Sequence, residues 1–459
     1  MKQDERKTQK TTRAQARMVA LRALLRVHMD GGYSNLVLDG ALSGAQMDAR
    51  ETALASALFY GVLEREMTLD YVISHYSSIP LKKLSPQVRD ILRIGLYQLL
   101  YMDKIPHSAA VNESVKLARA SRQERAAGFI NGVLRSFLRD GAVVPPFPEG
   151  MSETARLGVQ YACPEWLVSL WRKAYGDDTA QALMEALVGR PPLTVRLNPL
   201  RVNGVEQLQQ ELALYKTEAR PVVEGMPWAA ALQPTGSVER LRAFRQGWFH
   251  VQDLASQLCC QALQVKPGQR VADVCAAPGG KSFTLAEEMK NQGCLSAFDC
   301  HPSRVEVIRK GAERLGLSII QAAVRDASCP QTPLSDFDRV LCDVPCSGLG
   351  ILRRKPEIRS KAQEMLDSLP ALQYRILCES AKLLKVDGVL VYSTCTLNPA
   401  ENNLQAQKFL QQHPDFAPQQ LQLPAWVTRN EWEPENQLTL MPHIHGTDGF
   451  FISAFRRKR

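Results

Sequence analysis

From residue 14 to residue 139, apolar side chains recur at three- and four-residue spacing with polar residues between them. The stretches QARMVALRALLRVH, ETALASALFYGVLERE, SPQVRDILRIGLYQLLYM, SAAVNESVKLARAS and AAGFINGVLRSFLR all follow this rhythm, which winds one apolar stripe along a helix of 3.6 residues per turn. In the third, Val88, Leu92, Leu96 and Leu99 share a face, and Ser85-Pro86 supplies an N-cap followed by proline in the first turn. Gly31-Gly32 and Ile105-Pro106 break the pattern between helices. An all-α bundle is therefore predicted over residues 1–140. The Pro- and Gly-rich GAVVPPFPEG, residues 141–150, reads as a linker.

The rhythm changes downstream. Residues 151–250 mix helices (PEWLVSLWRKAYG, DTAQALMEALVG) with strand-like pieces such as LTVRLNP, and are read as an α+β segment. From Val271 onward short apolar runs alternate with amphipathic ones: strand VADVC, helix KSFTLAEEMK, strand CLSAFD, helix PSRVEVIRKGAERLG, strands SIIQAA and DRVLCD, a helix around 361–385, and strand GVLVYST. Such alternation predicts a Rossmann-like α/β domain over 251–459, a parallel sheet covered by helices on both faces. At 459 residues the chain has length for several such cores.

Composition narrows the class. No apolar run approaches the roughly 18–20 residues of a membrane span, and the charged N-terminus has no apolar segment behind it, so a cytoplasmic protein is expected. The 11 cysteines are odd in number, scattered and partly inside apolar runs, which predicts reduced thiols. There is no C-x-x-C pair, Cys259-Cys260 and Cys342-x-x-x-Cys346 lack matching His or Cys partners at zinc spacing, and His443-Ile-His445 lies in a Pro/Gly-flanked loop, so no metal is expected. The net charge of +9 is uneven: residues 1–140 carry 21 Lys and Arg against 14 Asp and Glu, the rest 35 against 33. A basic module joined to a near-neutral one suits a polyanionic partner, RNA or DNA.

Three loops hold the candidate chemistry. In DVCAAPGGKS (273–282) a strand enters a Gly/Pro turn that opens a helix. Gly279 and Gly280 allow close backbone approach, and the helix N-terminus favours an anionic group. The spacing matches neither G-x-x-x-x-G-K-[ST] nor G-x-G-x-x-G. The next strand ends in Asp299, the position that takes ribose hydroxyls in such folds. A ribose-binding acid without a phosphate cradle points to S-adenosyl-L-methionine. LCDVPCSGLG (341–350) and VYSTCT (391–396) then place Cys346 and Cys395 at two strand ends on the ligand side of the sheet. Methylation at C5 of cytosine would use such a thiol: C5 becomes nucleophilic only after something adds to C6. Asp343 is placed to hold the pyrimidine, and Arg353, Arg354 and Lys355 in ILRRKPEIR suit RNA phosphates.

Together DVCAAPGGK, DVPCSGLGILRRKPEIR and YSTCTLNPAEN resemble the signature motifs of the RNA cytosine-C5 methyltransferases of the Sun (NSun-type) family, and DGFFISAFRRK resembles that family's closing strand. LFYGVLERE and GLYQLLYMDKIPHSAAVNESVKLA are similar to the NusB-like RNA-binding bundle of its bacterial RsmB (Sun/Fmu) subgroup. The resemblance implies a monomeric enzyme that methylates a cytosine of 16S ribosomal RNA, with 151–250 as its pre-catalytic RNA-recognition segment. It implies that Cys275, Ala276, Ala277, Pro278, Gly279, Gly280 and Lys281, with Asp299, Asp326 and Asp343, bind S-adenosyl-L-methionine. It further implies that Cys395 is the nucleophile and that Cys346 helps release the RNA. Arg325 stands before Asp326 where the family often has Gly, and Cys300-His301 follows Asp299 where a second acid or a small residue is common. Two alternatives share these features: a transfer-RNA cytosine-C5 methyltransferase, and a non-enzymatic antitermination-like RNA-binding factor.

Overall fold

The computed structural model describes residues 2–233, 237–329 and 335–458, with side chains from residue 15 onward. It divides into two units, residues 1–189 with 352–361, and residues 190–351 with 362–459. Of the segment read as 151–250, the part up to Gly189 groups with the first unit and the remainder with the second.

The first unit is helical throughout: α1 (Lys2–Asp30), α2 (Ser34–Ser43), α3 (Ala49–Tyr76), α4 (Pro86–Tyr101), α5 (His107–Ala120), α6 (Ala127–Arg139), α7 (Glu153–Tyr161), α8 (Glu165–Tyr175) and α9 (Asp177–Ala186). Helix α4 starts as its sequence dictates, with the Ser85 hydroxyl accepting from the Val88 amide at 3.4 Å and Pro86 in the first turn. Val88, Leu92, Leu96 and Leu99 are buried as the stripe requires, but so are Ile91, Ile94 and the charged Asp90 and Arg93. The helix is thus central, enclosed by more than one neighbour.

Its buried charges are paired. The Arg93 guanidinium donates to Asp70 at 2.6 and 2.7 Å and to Asp90 at 2.9 Å, and it meets Glu66 at 2.7 Å. His28 on α1 contacts Asp90 at 3.1 Å and Glu66 at 3.5 Å. Burial disfavours the charged imidazole, but the hydrogen bonds and charges of Asp90 and Glu66 outweigh it and raise the His28 pKa from 6.5 to about 9. A folded-state value above the unfolded one gives stability that is complete below about pH 6.5 and is lost as pH rises through about 9. The helical unit is expected to lose roughly 2–3 kcal/mol across that window. Urea titrations at about pH 6 and pH 9.5 check this, and His28→Gln should remove the pH dependence.

The second unit contains two sheets. The smaller consists of β1 (Leu193–Leu197), β2 (Glu218–Pro221), β3 (Ala229–Gln233) and β4 (Phe249–Val251), with α10 (Val205–Ala213) and α11 (Arg242–Arg245). Its order is β2-β3-β1-β4 and every described pairing is antiparallel. Next come α12 (Leu254–Ala262), β5 (Arg270–Asp273), α13 (Gly280–Glu288), β6 (Cys294–Asp299), α14 (Pro302–Leu315), β7 (Ile320–Val324), β8 (Phe337–Asp343), α15 (Leu369–Ala381), β9 (Leu384–Thr394), α16 (Asn403–Gln412), β10 (Phe416–Pro418), β11 (Gln437–Leu440), α17 (Pro442–His445) and β12 (Phe450–Arg457). The large sheet runs β10-β12-β9-β8-β5-β6-β7, with β11 also on β12. Strands β5 to β9 are parallel, while β10, β11 and β12 pair antiparallel. The sheet is therefore mixed, and the parallel expectation applies to the run from β9 to the edge strand β7.

Alternation along the strands explains the two-sided burial. Val271, Leu295, Leu341 and Val391 enter one core with Leu258, Phe283 and Ile308. Their neighbours Ala272, Val340, Cys342, Leu390 and Tyr392 enter the opposite core with Ile376, Leu377 and Phe409. Both faces being apolar, the strands read as continuous hydrophobic runs. The small sheet is braced against the large one by buried polar groups: Asn198 donates to the Gly247 and Leu315 carbonyls at 3.1 and 2.9 Å, and Arg196 reaches Glu287 on α13 at 3.3 Å. Among the described residues, no helix is long and apolar enough to cross a membrane.

Candidate active site

The residues singled out in DVCAAPGGKS, LCDVPCSGLG and VYSTCT converge at the carboxyl ends of β5, β8 and β9. Since β5 pairs with β8 and β8 with β9, three consecutive strands of the sheet deliver their following loops to one edge. Open α/β sheets bind ligands there.

The loop after β5 is pinned on both sides. The Val274 amide donates to the Leu341 carbonyl at 3.0 Å and the Ala276 amide to the Phe298 carbonyl at 2.7 Å, so Cys275, Ala276, Ala277 and Pro278 are held between β8 and β6. Gly279 has φ +112°, and a Cβ there would lie 2.3 Å from the Phe283 ring, so a larger residue fits neither the backbone conformation nor the space. Gly280 then opens α13, and its second residue, Lys281, places its ammonium 2.7 Å from Asp343 Oδ2. Burial works against a charged lysine, but the adjacent Asp343 carboxylate prevails and keeps Lys281 protonated well above the ordinary lysine range. Asp343 Oδ1 accepts from the Ser393 hydroxyl at 2.7 Å. Sequence reading placed Asp343 at a base-holding position; the structure adds that both its oxygens already bind protein groups that fix its orientation.

The two thiols meet. Cys346 Sγ and Cys395 Sγ are 3.2 Å apart, and neither cysteine is in a disulfide. The contact with Cys395 and burial, together with the charges of Cys395, Glu401 and Asp343, hold the Cys346 thiol well above the usual thiol range. Cys346 thus keeps its proton and can direct it at Cys395. Burial also pushes the Cys259 and Cys342 thiols up to about 12, which leaves them as core residues without nucleophilic character.

The loops carrying the thiols brace one another. The Val344 amide donates to the Ser393 carbonyl at 3.1 Å and the Gly350 amide to the Cys395 carbonyl at 3.0 Å. The Ser347 and Thr396 hydroxyls are 2.6 Å apart. Asn402 accepts from the Thr394 hydroxyl at 2.6 Å and donates to the Thr396 carbonyl at 2.9 Å. Gly350 and Gly449 pack backbone to backbone, and a Cβ on Gly350 would lie 1.9 Å from the Gly449 carbonyl oxygen.

The remaining candidates divide. Asp299, buried at the end of β6, accepts the His301 amide at 3.0 Å. Asp326, half-buried after β7, accepts the Ser328 amide and hydroxyl at 2.9 and 2.7 Å, and these bonds lower its pKa. Arg353, Arg354 and Lys355 group instead with the helical unit, where the Lys355 ammonium lies 5.6 Å from the centre of the Tyr33 ring.

Sequence reading missed Asp273. Its Oδ2 accepts from the Ser282 hydroxyl at 2.7 Å, while Oδ1 is buried without a hydrogen-bond partner. Burial pushes this carboxyl up to about 7, the Ser282 hydrogen bond opposing and the Asp343 charge adding. An aspartate ending an apolar strand just before the Gly/Pro turn was the available signal. Ser347, Glu401 and Asn402 were quoted within motifs but given no task. Among the described residues, no group of three or more His, Cys, Asp or Glu side chains could hold a metal ion.

Fold and strand-end loops together define a Rossmann-like methyltransferase with an appended helical bundle. Residues 260–456 match the family of 16S rRNA methyltransferase RsmB/F, residues 14–139 the NusB family, and residues 163–239 the ferredoxin-like domain of RsmF/B-like methyltransferases. A Bacillus subtilis protein named "Probable ribosomal RNA small subunit methyltransferase B" is 37% identical over 449 residues, covering 96% of this chain and 98% of its own. The ribosomal RNA small subunit methyltransferase B of Vibrio cholerae is 33% identical over 450 residues, covering 96% and 97%. The crystal structure of PH0851 superposes with a TM-score of 0.82 at 25% identity, covering 97% of this chain and 99% of that one. The chain belongs to the RsmB family of ribosomal RNA small subunit methyltransferases, and it is an rRNA methyltransferase.

Proposed function

We propose that this protein transfers the methyl group of S-adenosyl-L-methionine to C5 of a specific cytosine in 16S rRNA, through a covalent bond between Cys395 and C6. The observation that carries this reading is the pair of thiols 3.2 Å apart at the ends of two adjacent parallel strands. One thiol of that pair is held protonated by its surroundings. When bound, S-adenosyl-L-methionine supplies an electrophilic methyl group.

The chain's residues suit that ligand. The buried Asp273 Oδ1, lacking a partner, can accept from an ammonium group. Asp299 at the end of β6 keeps a second carboxylate oxygen for ribose hydroxyls, and Asp326 stands at the end of the next strand. The turn over 275–281 gives close backbone approach without a phosphate cradle. Lys281 orders Asp343, which holds the pyrimidine edge. Arg353, Arg354 and Lys355 join the basic helical unit in contacting RNA phosphates.

In the reaction, the Cys395 thiolate adds to C6 and the C5–C6 double bond becomes an enamine whose C5 takes the methyl group. Removal of the C5 proton restores the double bond as the Cys395–C6 bond breaks and the thiolate departs. Cys346 assists that departure.

Cys346→Ala is therefore expected to trap a protein–RNA species that survives denaturing electrophoresis when enzyme, S-adenosyl-L-methionine and unmodified 16S rRNA are mixed. Absence of a slowly migrating band would remove Cys346 from the release step. Transfer RNA in a parallel lane tests the substrate class, and bisulfite sequencing of the product locates the cytosine. Lys281→Ala leaves Asp343 without its ion partner. It should weaken S-adenosyl-L-methionine binding in equilibrium dialysis without trapping RNA.

A further inference from the structure

Glu401 is fully buried and follows Cys395 by six residues, yet the chemistry above gives it nothing to do. Its Oε2 accepts from the Ser347 amide at 2.9 Å and from Gln373 Nε2 at 2.8 Å, and its Oε1 accepts from Asn398 Nδ2 at 2.9 Å. Its main-chain carbonyl accepts the Tyr392 hydroxyl at 2.6 Å. Gln373 Nε2 also donates to the Pro345 carbonyl at 3.0 Å. One carboxylate therefore holds the residue after Cys346 directly and the residue before it through Gln373. These three donors are neutral, and a buried carboxylate compensated in that way is costly compared with an apolar or amide side chain. Such a cost is repaid where geometry at a reacting centre depends on it.

We propose that Glu401 is a positioning residue that locks the Pro345–Ser347 turn onto the Cys395 loop, so that Cys346 stays in contact with Cys395 while the methylated base is released. This rests on the reading of Cys395 as nucleophile and Cys346 as release group. A negative charge at Glu401 also contributes to holding the Cys346 thiol in its neutral form. Removing the charge then changes both where Cys346 sits and the pH at which it ionises. A purely structural carboxylate would leave the partition between adduct formation and release unchanged.

The test uses the full-length chain with S-adenosyl-L-methionine and unmodified 16S rRNA. Glu401→Gln should lower steady-state turnover by about 10- to 100-fold, the scale of a misplacement near 1 Å. It should also raise the fraction of protein recovered as denaturation-resistant adduct, leave S-adenosyl-L-methionine affinity unchanged, and lower the pH at which Cys346 is alkylated, read by mass spectrometry of the tryptic peptide. Asn398→Ala, which removes one donor and leaves the carboxylate in place, should shift turnover and adduct in the same direction by less. It decides the matter if Glu401→Gln fails to fold. Slower turnover without adduct build-up, or a Cys346 alkylation profile unmoved in Glu401→Gln, overturns the proposal. Cys346→Ala run alongside separates the two ideas. If Cys346→Ala traps nothing, the two-thiol reading fails; if it traps adduct and Glu401→Gln does not, the positioning role alone fails.

Discussion

Replacing Cys395 with alanine should lower methyl transfer to unmodified 16S rRNA by a thousandfold or more, on the order seen when a covalent nucleophile is removed. In the proposed reaction the magnitude follows from the chemistry of the base. Cytosine C5 has no nucleophilic character until C6 is occupied, so proximity to a methyl donor accomplishes little without the thiolate. Cys346 lies 3.2 Å away and is the obvious candidate to take over. Removing Cys395 withdraws the sulfur contact that contributes most to holding the Cys346 proton, but burial and the charges of Glu401 and Asp343 remain. The surviving thiol therefore stays neutral and a poor nucleophile. Tritium transfer from S-adenosyl-L-methionine measures the loss directly. An active Cys395→Ala enzyme together with an inactive Cys346→Ala enzyme would assign the nucleophile to the Pro-Cys loop instead.

The helical bundle was legible because a 3.6-residue apolar rhythm with caps and Gly/Pro breaks is a local signal. Ser85-Pro86 begins α4 where the sequence says it should. The central parallel strands were equally plain, since burial on both faces turns β5, β8 and β9 into continuous apolar runs. The small sheet was less so. Strands of three to five residues such as β3 (AAALQ) and β4 (FHV) carry too few side chains for alternation to register, and alanine has little strand preference. The helix expected around 361–385 starts only at Leu369, with Pro370 in its first turn, and ends before β9 begins at Leu384.

Side-chain partnerships were legible only where motif and strand end coincided. Cys346, Cys395, Asp343 and the 275–281 turn all sit directly after strands, so one topological rule gathers them. Glu401 accepts buried hydrogen bonds from Ser347 and Gln373, both distant in sequence, and no local pattern reports that. Charge is the most deceptive signal. In ILRRKPEIR four basic residues look alike, yet they have different fates. Arg359 is buried among carbonyls, while Lys355 lies over an aromatic ring. Arg93 likewise reads as the polar face of a helix and is in fact one of the largest fully buried side chains.

Arg359 itself carries the other large expected effect. Helix α7 ends at Ala162 in a left-handed conformation, φ +51°, which leaves carbonyls at its C-terminus without helical partners. Arg359 Nη1 donates to the Tyr161 and Ala162 carbonyls, both at 3.0 Å, and lies 3.3 Å from Cys163 Sγ. Its Nη2 donates to the Leu187 carbonyl at 2.8 Å, just past the end of α9. One guanidinium thus satisfies two helix termini and places a cation where both dipoles favour it. Arg359→Ala strands several buried carbonyls at about 1–3 kcal/mol each, so a local loss of roughly 3–5 kcal/mol is expected. Arg359→Lys should recover little, because an ammonium cannot reproduce a planar fork spanning four acceptors. Hydrogen exchange over residues 153–189 measures this without assuming that the whole chain unfolds in one step. Protection unchanged in Arg359→Ala would mean that water replaces the guanidinium at no cost, and that the buried arginine is not what holds α7 and α9 together.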